Sequence, residues 1–306
     1  MGKLLKYVSF FVLILIALSF FFDALYTNLY NRHVPREKAA WLRTKTKTDK
    51  IDYVLIGSSR CLNDLDPRII EARTGKVGMN LGNRSSGPFE NKLMVLQAIK
   101  STNARQIFIQ EDYMYNVFTP DNIAETKWLP YLKEEDIYAE FKPFGSRYFY
   151  MRHVPFLRYQ LNDPVVGFRN VAFMSLGMKA PFSESMGFVP HHGTLGFEDV
   201  YLDTIQDIQN PIYEDIIKLC AAENIELIFF TAPFYNSKTD FAVLAKYLPN
   251  YTDFSNSISN RNLFADVKHL NDDGAIAFTN LFCDTYFLED SSLKSNVEGL
   301  DSTEIK

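Results

Sequence analysis

At 306 residues, 47% hydrophobic and 23% charged, the chain is long enough for one large α/β domain with an insertion, the favoured reading, or for two small domains. Its formal charge of -5 is mild and no basic stripe or Arg-rich segment stands out, which argues against nucleic acid as a partner. Cys61, Cys220 and Cys283 sit at separations that match no zinc or redox motif, so neither a disulfide framework nor a cysteine metal site is expected.

Lys3 and Lys6 precede a charge-free run over residues 7–22, which as a helix spans roughly 24 Å against a hydrocarbon core of about 30 Å. Snorkelling lysines, with Leu4, Leu5, Ala24, Leu25 and Tyr26, make up the difference. The rival is a cleaved signal peptide with Ala17 and Ser19 before the cut. Against it, Phe20, Phe21 and Phe22 carry the apolar run past that point with bulky groups. A transmembrane anchor over 1–26, and the membrane as partner, are therefore expected. A literal count of Arg32, Arg36, Lys38 and Arg43 keeps the downstream domain cytoplasmic, a rule that long domains often escape. Residues 27–50, with the alternation Thr44-Lys45-Thr46-Lys47-Thr48, read as a polar tether.

An α/β domain is expected over 51–290. Its first strand, Ile51-Asp52-Tyr53-Val54-Leu55-Ile56, stops at Gly57-Ser58-Ser59-Arg60. Asp66 and Pro67 are a natural N-cap and first helical residue, and Gly75 closes that helix. A second strand over 76–81 runs into a loop of small residues and backbone donors ending at Gly87. A helix over about 88–100, with Phe89, Leu93, Leu96 and Ile99 at helical spacing, leads to a third strand over 106–110. The alternation predicts a three-layer α/β/α fold around a mostly parallel sheet, of flavodoxin-like type.

From 113 to about 198 that rhythm breaks in a segment dense in aromatics and carrying Arg147, Arg152 and Arg158, read as an inserted subdomain. Rings interleaved with arginines can form a platform for sugars, although most such rings pack a local core. His191-His192 lies in a loop of this insertion. With no further ligands at defined spacing, it reads as facing solvent or substrate, and no metal or other cofactor is expected. A helix comes after Pro211, a buried fourth strand covers 225–231, and a short last strand over 263–265 delivers Asp266 and His269. Asn271 or Asp272 caps the final helix, and a polar, disordered tail is expected over 291–306.

In open parallel sheets ligands bind beyond the carboxyl ends of the strands, where Ser59 and His269 are both expected. A serine hydroxyl becomes nucleophilic when a base takes its proton, and an imidazole serves as that base when a carboxylate fixes its tautomer. Asp266-Val267-Lys268-His269 supplies both. Alone, Gly-Ser-Ser is ordinary turn composition, and Asp-x-x-His is a surface acid beside a helix-capping histidine. Each gains meaning from the other.

These residues resemble the SGNH, or GDSL-like, hydrolase family. Gly57-Ser58-Ser59 is similar to its first block, with Ser59 at the nucleophile position and Ser58 in place of the usual Asp. Asn80-Leu81-Gly82 is similar to the second block, which implies an oxyanion hole made by the N–H groups of Ser59 and Gly82. Asp266 to His269 resembles the last block. The third block departs: its Asn is replaced by Gln110-Glu111-Asp112-Tyr113, leaving Asn116 or Asn83 as side-chain donor, and Arg60 and Asn83 are candidates to bind substrate. The Gly-Ser-Ser-Arg variant behind an anchor resembles bacterial proteins of surface-polysaccharide modification. That implies an esterase or O-acyltransferase acting on acylated carbohydrate at the extracytoplasmic side of the inner membrane, with envelope-assembly proteins as partners. The rival is a catalytically silent glycan-binding or assembly protein. A phosphate-binding reading lacks its glycine loop.

Overall fold

The computed structural model describes residues 2–32, 34–160, 164–196 and 204–288; the expected tail over 291–306 lies outside them. In chain order, α1 (Gly2–Arg32) and α2 (Lys38–Arg43) precede β1 (Tyr53–Ile56), α3 (Ser59–Asp64), α4 (Pro67–Thr74), β2 (Gly78–Asn80), α5 (Pro88–Ser101) and β3 (Gln106–Gln110). Next come α6 (Glu135–Phe141), α7 (Ser146–His153), α8 (Leu157–Gln160) and α9 (Pro164–Ser175). The chain continues through α10 (Pro211–Ala222), β4 (Glu226–Thr231), β5 (Tyr251–Asp253) and α11 (Asp272–Cys283). It divides into two compact units, one of residues 1–45 and 119–181, the other of 46–118 and 182–306.

The second unit is an α/β fold. Among the described residues its sheet has five strands, all parallel in the order β2-β1-β3-β4-β5, the flavodoxin-like winding. Alternation along the strands sends Tyr53, Leu55, Phe108 and Phe230 to one face, where they pack with Phe278 and Phe282 of α11. On the opposite face, Tyr213 of α10 meets Phe229 edge to face. β1, β3 and β4 are therefore buried on both sides and read as nearly unbroken apolar runs. Asp66 caps α4 by accepting from Arg68 N–H, and Gly75 ends it in the left-handed conformation. Asn271 caps α11.

Residues 263–265 do not form the expected last strand. The fifth strand is β5, and Phe264 instead pairs with Leu270 in an isolated antiparallel bridge that closes a hairpin around Asp266 and His269. Phe264 and Leu270 are apolar because they root that hairpin in the core.

The first unit is helical. The expected insertion contributes 119–181, which fold with the N-terminal segment, whereas the stretch from 182 belongs to the α/β unit. In place of a solvated tether, α1 continues to Arg32 and α2 buries Ala39, Ala40, Trp41 and Leu42. α1 is long and apolar enough to cross a membrane, its most apolar 18-residue stretch having a mean hydropathy of 2.5. Its apolar side chains from Leu4 to Phe22 are exposed, as is Leu25. At Asp23 the environment changes: this carboxylate is buried, pairs with Arg158 at 2.7 Å and with Lys133, and accepts from Phe156 N–H at 3.0 Å. Tyr26 and Tyr30 pack on Tyr159. Trp128, Tyr131, Phe141 and Tyr148 are buried, so most of the aromatic density is the core of this unit.

Candidate active site

β1 ends at Gly57, whose φ of +152° and crowded surroundings require glycine: a Cβ there would stand 2.8 Å from Gln110 Cβ. The chain then turns directly into α3. Ser58 is its N-cap, accepting from Arg60 N–H, and its own N–H and hydroxyl donate to Gln110 Oε1 at 3.0 and 2.7 Å. Ser59 is therefore the first helical residue, its N–H ahead of any intrahelical acceptor.

The hairpin from Phe264 to Leu270 brings the other two groups to it. Ser59 Oγ lies 2.8 Å from His269 Nε2, and His269 Nδ1 lies 3.0 and 2.9 Å from the two oxygens of Asp266. A carboxylate only accepts, so Nδ1 carries the proton and Nε2 presents its lone pair to the serine hydroxyl. Asp266 Oδ1 also accepts from the N–H groups of Lys268 and His269, at 2.7 and 2.9 Å, which fixes the three-residue turn. Burial acts to raise the Asp266 carboxyl, but the hydrogen bond and charge of His269, with those two N–H groups, outweigh it and lower it to about 2. Ser59, Asp266 and His269 all remain partly exposed.

Arg60, expected to contact substrate, is instead buried at 1% exposure. Its Nε donates to the Lys268 carbonyl at 3.0 Å, Nη1 pairs with Asp112 at 2.7 Å, and Nη2 donates to the carbonyls of Ala232 and Pro233. The guanidinium lies over the Phe234 ring. With its donors spent on the loops after β3 and β4 and on the histidine hairpin, Arg60 positions the site from below. Gln110 Nε2 donates to the same Asp112 oxygen at 2.8 Å, so Ser58, Gln110, Asp112 and Arg60 form one buried network. The end of β3 thus supports the serine turn. Polar residues closing a buried strand were the available signal.

The expected oxyanion donors fare differently. Gly82 N–H donates to Asn80 Oδ1 at 3.0 Å, and Gly82 itself is required by packing, since a Cβ would fall 2.5 Å from Leu62 N. Asn116 is engaged on both sides of its amide with the Gln206 backbone. Asn83 is held beside the serine turn by its N–H to the Gly57 carbonyl at 2.9 Å, and its carboxamide makes no hydrogen bond among the described residues.

Sequence spacing did not show that His191 joins this group. Its Nε2 lies 3.4 Å from Asp266 Oδ2, and its ring centroid lies 5.1 Å from that of His269. Beneath the hairpin, Asp64 is wholly buried. One oxygen accepts from Leu270 N–H and the other has no hydrogen-bond partner among the described residues; burial pushes its carboxyl well up, against the lowering influence of Arg60.

Set beside known proteins, the chain matches no family model and no curated protein, and a functional reading rests on the arrangement of these side chains.

Proposed function

We propose that the chain is a membrane-anchored serine esterase or O-acyltransferase of the SGNH type, acting on O-acyl groups of a cell-surface carbohydrate. The observation that carries this reading is the continuous line from Asp266 through His269 to Ser59 Oγ at 2.8 Å. His269 Nε2 takes the hydroxyl proton as Ser59 attacks the acyl carbonyl, and the new C–O bond leaves charge on the carbonyl oxygen. In this reading that charge falls to Ser59 N–H and to the carboxamide of Asn83, whose backbone N–H is bonded to the Gly57 carbonyl beside the serine turn. Collapse of the intermediate breaks the ester bond, and His269 returns the proton to the departing sugar oxygen. Water or a second hydroxyl then attacks the acyl-serine by the same route, which gives hydrolysis or transfer. The carbohydrate, the extracytoplasmic location and envelope-assembly partners are supported by the resemblance and the N-terminal helix.

A second reading, a silent glycan-binding protein on the same fold, is favoured by the engagement of Gly82 N–H and Asn116 elsewhere. Labelling with a fluorophosphonate probe separates the two. The enzyme reading expects labelling of the wild type that is lost in Ser59→Ala and His269→Ala, with release of acetate from an acetylated glycan. Glycan binding that survives Ser59→Ala, without turnover of any acetylated sugar, establishes the binding protein.

A further inference from the structure

We infer that His191, Asp266 and His269 form a site for a divalent transition metal ion of the Zn2+ class, one that competes with the hydrogen bonds of the serine line. One ligand atom from each residue lies within 4.8 Å of the others. With metal bonds of about 2.0–2.1 Å, neighbouring ligands of a tetrahedral ion stand about 3.3 Å apart. His191 Nε2 and Asp266 Oδ2 are already at 3.4 Å. His269 Nδ1 and Asp266 Oδ2 are at 2.9 Å, a hydrogen-bond length that opens by a few tenths of an ångström to admit an ion. Two imidazoles and a carboxylate suit zinc, nickel or copper rather than calcium or magnesium, and three protein ligands leave a coordination position open.

The third ligand is held in place. The loop bearing His191 is tied to the α/β unit on both sides: Val189 N–H donates to the Leu62 carbonyl at 3.1 Å, Asn63 Nδ2 to the Val189 carbonyl at 2.6 Å, and Leu195 N–H to the Phe264 carbonyl at 2.9 Å. Its neighbour His192 is turned away, with Nδ1 2.7 Å from Asp272. The pair is therefore not interchangeable. The His191 side chain is 38% exposed, which leaves a route for an ion from solvent.

An ion on His269 Nδ1 displaces the proton shared with Asp266, which forces the remaining proton of a neutral ring onto Nε2 and removes the base that activates Ser59. Zinc therefore silences the serine reversibly, a consequence that rests on the nucleophile reading; the site itself does not.

The test is calorimetric titration of the full chain, in detergent and without a histidine tag, with Zn2+. Wild type and Ser59→Ala should each bind one ion in the micromolar range, His192→Ala should match them, and His191→Ala and His191→Gln should bind at least tenfold more weakly. Zinc should suppress fluorophosphonate labelling of the wild type, reversed by chelator, and fail to do so in His191→Gln. Equal zinc affinity in wild type and both His191 variants, or no binding at 100-micromolar zinc, overturns the site. A wild type that is never labelled but binds zinc through His191 retains the site and removes the nucleophile reading.

Discussion

Arg60 Nε donates to the carbonyl of Lys268 at 3.0 Å, so the residue after the serine holds the turn that carries the histidine. The two segments, about two hundred positions apart, are joined by a side chain that touches neither reacting atom.

Removing that link should unfold the region and not merely slow it. Arg60→Ala leaves the Asp112 carboxylate buried without its counter-charge, and breaking such a pair costs about 3–5 kcal/mol. Arg60→Lys keeps the charge but cannot serve four acceptors, and should lie between wild type and Arg60→Ala. Chemical denaturation midpoints measure this; an unchanged midpoint for Arg60→Ala refutes the positioning role.

Asn83 and Asn116 should separate under the probe. Loss of one oxyanion donor lowers rates by about 10²–10³-fold, so Asn83→Ala should slow labelling by about that factor. Asn116→Ala removes a contact to Gln206 alone and should leave labelling within about threefold. The opposite order would assign the donor to Asn116.

Asp266 gives a signed pH dependence. Its carboxyl is lowered to about 2 in the folded chain from an ordinary value of 3.8, so its contribution to stability is present above about pH 4. That contribution should disappear as pH falls from about 4 to 2. The difference in unfolding midpoint between wild type and Asp266→Asn should shrink over that window, and a constant difference contradicts the ion pair. At neutral pH, Asp266→Asn should lower labelling by orders of magnitude, since the imidazole then takes the wrong tautomer; about 10⁴-fold is the loss in the serine-protease template.

Asp64 has the opposite sign. Its folded carboxyl is pushed well up by burial, so holding its charged form in place becomes a liability as pH rises. Asp64→Asn keeps an acceptor for Leu270 N–H without a group that can ionise. It should stabilise the chain at neutral pH, with the gain vanishing below about pH 4. Thermal melts at pH 4 and pH 7 read this directly.

How much of this was legible in the residues depends on how local the determining contacts are. β1, β3 and β4 stand out because burial on both faces forces continuous apolar runs, and the caps at Asp66 and Asn271 act within a few residues. Asp266 and His269 are readable for the same reason, being three positions apart in one turn. β5 is not: it has three residues, partly exposed along its length, while apolar Phe264 mimics a strand from inside a hairpin. Trp41 and Leu42 were masked by the lysines and arginines around them; Lys45, for example, lies over the Trp41 ring at 5.6 Å. The place of His191 beside Asp266 depends on backbone ties from Leu62, Asn63 and Phe264, which no spacing rule encodes.

The burial of Asp23 bears on how the helical unit is carried. Because α1 runs unbroken from its exposed apolar turns into contacts with Arg158, Phe156 and Tyr159, it has no joint at which to swivel. In a bilayer it would act as a mast and not a leash: whatever depth the lipid sets for residues 4–22 also sets the height at which Arg158 and Lys133 stand above it.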